Sequence, residues 1–405
     1  MLNWADYHPE VVETSGNKVP WPCEKIATGC GPCSQPTVAM GPDEELVAEG
    51  LRAGEIKNCL AGKPPSRDDT TGFLYHSRDG GLNWARLCEV PLRHKPPQES
   101  DKASGPNLSG VGFLSDGTLL STIRHHHCNG VSGVHNETVC SRVWVTRSSD
   151  RGRSWSDPYE LDPSPYEAIG GNKVRFFERS DGTVLLPMNC TRYARPGKPL
   201  SPADEYEVAQ VYASGDRGCT WHNHGDLNKH SDESDLLELP SGRILASTRY
   251  QRRRMPGDPP ELVSGAGKET GSLFKQTAFC HSDDGGKTFS EHLLLTGWLQ
   301  QTACLARLSD GTLVMPFGHK EEGGGQRFMV SYDDGQTWSK TVFELNKSGW
   351  YASSVILGDD TIVTVYAREW HSGGSNQLEV LRWKVPPKEI VAKNGFFSPR
   401  PAAVS

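Results

Sequence analysis

One eight-residue phrase occurs five times in this chain: Ser77-Arg-Asp79-Gly-Gly81-Leu-Asn-Trp84, Ser148-Ser-Asp150-Arg-Gly152-Arg-Ser-Trp155, Ser214-Gly-Asp216-Arg-Gly218-Cys-Thr-Trp221, Ser282-Asp-Asp284-Gly-Gly286-Lys-Thr-Phe289 and Ser331-Tyr-Asp333-Asp-Gly335-Gln-Thr-Trp338. Copies spaced by roughly 50 to 70 residues mark an array of similar supersecondary units, none of which buries an apolar face alone. Within each copy the Asp carboxylate can fold onto backbone amides, Gly accepts a positive φ and the closing aromatic packs between neighbours. Each phrase therefore reads as a tight hairpin loop with an anchor.

A second hairpin signal precedes every copy, an apolar run, a turn and another apolar run: Pro42-Asp-Glu-Glu-Leu46, Ser115-Asp-Gly-Thr-Leu119, Ser180-Asp-Gly-Thr-Val184, Pro240-Ser-Gly-Arg-Ile244 and Ser309-Asp-Gly-Thr-Leu313. A sixth, Gly358-Asp-Asp-Thr-Ile362, has no anchored loop after it. Six first hairpins and five second ones predict an all-β, six-bladed propeller of four-stranded antiparallel blades, one domain over residues 1–405. The last blade then borrows a strand from a chain end, so the segment of about 1–34 is expected to close it partly, through a strand near Glu10 to Thr14. Residues 386–405 form a C-terminal tail.

Composition narrows the function classes. A net charge of −7 gives no support for nucleic-acid binding, and Arg252-Arg253-Arg254 reads as a solvated loop. No 18-residue apolar run exists to span a membrane. The start, Met1-Leu-Asn-Trp-Ala-Asp6, lacks the basic and apolar regions of a signal peptide, which leaves an intracellular protein or a chain whose leader is gone. Eleven cysteines cannot all pair internally, so several buried free thiols are expected. Cys30-Gly-Pro-Cys33 reads as a local disulfide or half a zinc site, and no metal or cofactor is assigned.

The five phrases resemble the Asp-boxes, or BNR repeats, of the sialidase (neuraminidase) superfamily, and the resemblance covers nearly the whole chain. Such turns specify the fold and not an activity. Connectivity locates a cleft, because in a blade the start of the innermost strand and the end of the second lie on one face. The starts are Gln35, Asn107, Gly170, Glu233, Gln301 and Tyr351, and the ends are Arg52, Arg124, Asn189, Arg249, His319 and Arg368. Cations and hydrogen-bonding groups thus converge on one axis, as an acidic or hydroxyl-rich ligand needs; a plug of structural ion pairs is the alternative.

Sialidases place a Glu at the start of the fourth blade's inner strand and an Arg at the end of its second strand, and the run from Glu233 to Arg249 is similar. Their nucleophilic Tyr resembles Tyr351 in Trp350-Tyr351-Ala-Ser-Ser-Val-Ile-Leu357, and their acid Asp resembles Asp69, with Asp68 in reserve. Glu49 also looks like a family acidic residue. The resemblance implies that Glu233 removes the proton of Tyr351, whose ordinary pKa is about 10. It implies that Asp69 protonates the leaving oxygen and then activates water. A Tyr suits sugars bearing a carboxylate on the anomeric carbon, which would repel an acidic nucleophile.

The family grips that carboxylate with three Arg, and here the match is incomplete. Ser34-Gln35-Pro36 stands where the first Arg belongs, Arg249 supplies the second, and Arg327 is the candidate third. Ala367 replaces a family Glu. Arg52, Arg124 and Arg368, at neighbouring strand ends, are possible substitutes, with Gln35, Gln301 and His319 as further substrate-binding candidates. The expectation is a retaining exo-glycosidase cleaving a terminal sialic acid or related nonulosonic sugar from a glycan. The alternatives are a glycosidase of the same fold acting on another glycan and a non-catalytic carbohydrate-binding propeller.

Overall fold

The structure is a computed structural model and describes residues 18–50 except 32 and 34, 71–91, 104–126, 142–192 except 171 and 172, 206–253, 273–319 except 298 and 299, 324–367 and 377–401. Six antiparallel sheets follow one another along the chain, the expected six blades. Blade one is built from Val38–Met40, Leu46–Gly50, Thr71–Ser77 and Ala85–Pro91. Blade two uses Ser104–Phe113, Leu119–His126, Arg142–Ser148 and Tyr159–Glu160. In blade three the inner strand is interrupted, Ala168–Ile169 and Phe177–Glu178 pairing with Val184–Arg192, followed by Tyr206–Ser214 and His222–Lys229. The interruption lends Val174–Arg175 to blade two as a parallel partner of Ser104–Phe113.

Blade four runs Ser231–Glu238, Ile244–Arg253, Leu273–Ser282 and Leu293–Leu294, with Arg400–Pro401 on its edge. Blade five has a broken inner strand, Gln300–Gln301 and Ala306–Arg307, then Leu313–His319, Gly325–Ser331 and Val342–Glu344, with Lys18–Pro20 added in parallel. Blade six contains Trp350–Ile356, Ile362–Ala367 and Leu378–Trp383 from its own stretch of chain, and its fourth strand is Glu24–Ala27. That strand lies later in the chain than the expected Glu10 to Thr14, which falls outside the described residues. The C-terminal segment adds Lys388–Val391 and Phe396–Phe397, the latter paired with Trp338–Ser339. Arg252 corrects another expectation: it lies in a blade-four strand and is buried, not on a solvated loop.

Among the described residues six apolar clusters fill the interfaces between blades, and a small seventh, Tyr250, Ala278 and Leu294, lies within blade four. Successive residues of a strand face opposite neighbours. Leu46 and Ala48 pack with Val363 and Val380 of blade six, while Val47 and Leu74 pack with Leu108 and Ile123 of blade two. The remaining interfaces are filled in the same way, by Val145 with Leu186, Leu185 with Ile244, Phe279 with Phe317 and Phe328 with Leu381. Blade strands are covered on both faces, so they read as apolar runs and not as alternation.

The repeated phrase builds one turn five times. In the fourth copy Ser282 Oγ donates to Asp284 Oδ1 at 2.8 Å and accepts from Gly286 N at 2.8 Å. Asp284 also takes the amides of Lys287 and Thr288 at 3.1 and 2.9 Å and the Thr288 hydroxyl at 2.6 Å. Those donors, the Thr288 hydroxyl foremost, hold its carboxyl well below the usual carboxylate range. The glycine at the fifth position of each copy presses on the preceding blade: an added Cβ would lie 2.9 Å from Val363 at Gly81, 2.3 Å from Cys88 at Gly152, 2.6 Å from Leu120 at Gly218, 3.2 Å from Leu185 at Gly286 and 2.7 Å from Phe279 at Gly335. Blade one thereby locks onto blade six and closes the ring. Gly335 has φ +86°, so Gly335→Ala combines backbone strain with a steric clash and is expected to cost about 2 kcal/mol, read as a lower urea midpoint. An unchanged midpoint would mean that this close fit contributes nothing to the packing of blade five on blade four.

Candidate active site

The inner strands depart from regular β geometry where they reach the axis. In blade four the register slips between Ser231 and Ser234, and in blade six between Trp350 and Ser353. Lys173, Thr302 and Tyr351, from blades three, five and six, have φ of +48°, +62° and +60°. Left-handed backbone is uncommon outside glycine, and such outliers cluster at functional sites. Bulges re-aim side chains, and here they turn charged ones inward.

Glu233 and Arg249 face each other across the first two strands of blade four, with Arg249 Nη1 2.8 Å from Glu233 Oε2. Arg249 Nη2 pairs with Asp232. Thr302 Oγ1 donates to Glu233 Oε2 at 2.7 Å. All four side chains are buried. The second carboxylate oxygen, Glu233 Oε1, is buried and accepts no hydrogen bond from the described residues. Tyr351 enters from blade six, also buried, and its phenol hydrogen-bonds Arg249. Burial, then the negative charge of Glu233, pushes the Tyr351 hydroxyl well above its ordinary range, opposed by Arg249. Two lysines complete the surroundings: buried Lys173 donates to the Thr302 carbonyl, and Lys275 lies near Arg249, Asp232 and Glu233.

The other sequence candidates fall around this cluster. Glu49 is buried and accepts from Thr37 N at 2.9 Å and Thr37 Oγ1 at 2.6 Å; burial, against those two bonds, raises its carboxyl to about 7. Gln35 is half-buried at the entry to blade one. Arg124 is buried and stands opposite Asn107 in the blade-two register. Gln301 precedes Thr302, and neither amide atom of its buried side chain has a hydrogen-bond partner among the described residues. His319 is buried, one residue along the strand from the Gly318 that pairs with Gln301. Arg327 pairs with Glu344 of its own blade at 3.4 Å. Asp69, with its reserve Asp68, and Arg52 and Arg368 lie outside the described residues.

Sequence reasoning brought Glu233, Arg249 and Tyr351 together and missed Asp232, Thr302 and Lys173. Adjacent residues of a regular strand point to opposite faces, so only the blade-four bulge puts Asp232 and Glu233 on one guanidinium. Further along the axis Arg175 Nη1 lies 2.7 Å from Asp235, which also takes the Leu305 amide at 2.7 Å. This is one ion pair beside the inner strands, not a ring of them. Past it a cavity of about 290 Å³ lined by Val38, Phe113, Phe176 and Ile356 opens on the opposite face. A larger one, about 550 Å³, lies beside Tyr332, Asp310 and Lys388. Neither cavity includes the cluster, and convergent chemistry identifies the site better than volume does. Among the described residues no three His, Cys, Asp or Glu converge to hold a metal, and Cys30 and Cys33 are free thiols. No helix among them is long and apolar enough to cross a membrane.

Three histidines beside the site make a pH prediction. Burial lowers His230 to about 4, His292 to about 4 and His319 to about 3. A folded-state pKa below the unfolded value means that the stability from a neutral ring is complete above about 6.5 and is lost as pH falls towards 4. Glu49, raised to about 7, acts in the opposite sense, its contribution disappearing as pH rises from 4.5 to 7. Three rings outweigh one carboxyl, so Tm should fall between pH 6.5 and 4.5, and His292→Phe should flatten that fall. A Tm constant over this range would refute the assignment of neutral buried rings.

No protein-family model and no curated protein matches the sequence. Solved structures do. A protein of unknown function from Dyadobacter fermentans superposes with TM-score 0.63 at 18% identity, covering 90% of this chain and 98% of the other. A Hadza microbial sialidase gives TM-score 0.55 at 17% identity, with 87% of this chain aligned to 65% of that longer one. An α-L-arabinanase of Penicillium chrysogenum, complexed with arabinobiose, gives 0.55 at 14% identity over 90% and 99%. The fold is that of the sialidase-like six-bladed propellers.

Proposed function

We propose that the protein is a retaining exo-glycosidase in which Tyr351 is the nucleophile, Glu233 its base and Asp69 the acid, with a terminal sialic acid or related nonulosonic sugar as substrate. The observation that carries this reading is the buried Glu233 oxygen that has no donor among the described residues, in a cluster where Arg249 holds both the carboxylate and the Tyr351 phenol. In the first step the Tyr351 oxygen bonds to the anomeric carbon while the glycosidic C–O bond breaks. The phenol proton passes to Glu233, and Asp69 gives its proton to the leaving oxygen. In the second step Asp69 takes a proton from water, the water oxygen attacks the same carbon, and departing Tyr351 recovers its proton from Glu233. Inversion twice gives retention.

A second reading, the same machinery on a neutral glycan, has its own support. Both terminal nitrogens of Arg249 are engaged by Asp232 and Glu233, and Ser34 stands where the first family Arg would be. A substrate carboxylate would meet a guanidinium already neutralised. The arabinobiose complex of a same-fold arabinanase supplies the comparison sugar. The test is release from a fluorogenic α-sialoside, its deaminated analogue and an α-L-arabinofuranoside, each with wild type and Tyr351→Phe. Release from either acidic sugar that depends on Tyr351 supports the first reading, and release from the arabinoside alone replaces it with the second. Saturable glycan binding without turnover, surviving loss of Tyr351, would identify a carbohydrate-binding propeller.

A further inference from the structure

Lys173 has no part in the chemistry above, yet its placement demands an explanation. It leaves the interrupted inner strand of blade three with φ +48°, is 4% exposed, and reaches past blade four to donate its ammonium to the backbone carbonyl of Thr302 in blade five. Burying an ammonium is costly unless it is paired or hydrogen-bonded. Burial pulls the Lys173 ammonium below its ordinary range, while Cys304, Asp235 and Glu233 act to keep it charged and Arg175 opposes them.

Thr302 is the residue this contact holds. It is β-branched and sits at φ +62°, a left-handed conformation that persists in such a residue only where its surroundings fix it. Both ends are fixed: the carbonyl accepts from Lys173, and the hydroxyl donates to Glu233 Oε2 at 2.7 Å. The ladder resumes two residues on, where Cys304 N donates to Pro316 O at 2.9 Å. Oε2 of Glu233 thus carries Thr302 and Arg249, and Oε1 has no partner among the described residues. Among the described residues, the charged and titratable groups near Glu233 include Arg249, Asp232 and Lys275 from its own blade, Lys173 from blade three and Tyr351 from blade six.

We propose that Lys173 is a positioning residue, which pins Thr302 in its left-handed conformation and so orients the Glu233 carboxylate with one oxygen loaded and the other free to take the Tyr351 proton. The inference rests on the reading of Glu233 as the base. Lys173 and Thr302 touch neither nucleophile nor sugar in this scheme, and their effect passes through one carboxylate.

The test compares Lys173→Met, Thr302→Val and Thr302→Ser with wild type by crystal structure and by steady-state kinetics on whichever glycoside the wild type cleaves. In Lys173→Met, Thr302 should leave the left-handed region and its hydroxyl should separate from Glu233 beyond 3.5 Å. Loss of that charge-assisted bond is expected to lower kcat about 10- to 100-fold with KM nearly unchanged. Thr302→Val should show the same kcat loss, and Thr302→Ser should retain wild-type kcat. An unmoved Thr302 and Glu233 in Lys173→Met would overturn the proposal. So would a raised KM at constant kcat, which would make Lys173 a substrate ligand. If no glycoside is turned over, the functional reading fails while the crystallographic comparison still decides the positioning role. Should Lys173→Met not fold, the Thr302 pair decides: a Glu233 carboxylate placed alike in Val and Ser overturns it.

Discussion

Tyr351→Phe is expected to lower kcat by at least about 10³-fold on the cleaved glycoside while leaving a folded propeller. The two halves of this expectation have separate grounds. Phenylalanine keeps the ring and tolerates the same φ of +60° as poorly as tyrosine does, so packing and backbone strain are unchanged. What is lost from the fold is one hydrogen bond to Arg249, a net effect of about 1 kcal/mol. What is lost from the chemistry is the only protein atom in this scheme that bonds to the anomeric carbon. Mass spectrometry of protein quenched during turnover should find a glycosyl adduct on the wild-type peptide containing Tyr351 and none in the variant. A variant within tenfold of wild type would eliminate the phenol as nucleophile, and the burial of Tyr351 would then be a matter of packing alone.

The parts of this architecture that were legible are those whose physics is local. Ser282, Asp284, Gly286 and Thr288 complete their hydrogen bonds within one turn, so the turn can be read from the residues that form it. The outer strand of blade six could not be read this way. Glu24–Ala27 pairs with Leu378–Trp383, and nothing in Glu-Lys-Ile-Ala distinguishes that strand from a loop; only the unfilled edge some 350 residues later selects it. The site divides along the same line. Glu233, Arg249 and Tyr351 lie on first and second blade strands whose position follows from counting hairpins. Asp232 and Thr302 depend on a bulge and on a left-handed residue, which no period or turn signal encodes. Asp69 was placed by resemblance, and its geometry lies outside the described residues.

The second large effect is expected at Arg249, and there the fold fails before the chemistry does. Its guanidinium pairs with Asp232, fully buried, and Glu233, 3% exposed. Burial disfavours the charge on Arg249, but the two carboxylates, Asp232 foremost, outweigh it and hold the guanidinium well above its ordinary range. Arg249→Met keeps much of the side-chain volume and leaves two carboxylates in a water-poor axis without their shared cation. Removing one partner of a buried ionic group typically costs 3 to 5 kcal/mol, and urea unfolding should show a loss of about that size. Adding Asp232→Asn removes one of the stranded charges, so the double variant should be more stable than Arg249→Met alone, a sign opposite to that of two independent losses. A loss below about 1 kcal/mol in the single variant would show that water or rearrangement already screens the pair. Arg249 would then be free to serve a substrate carboxylate, which favours the acidic sugar; the large loss instead assigns this arginine to the protein's own carboxylates and leaves the recognition of any substrate charge to other cations.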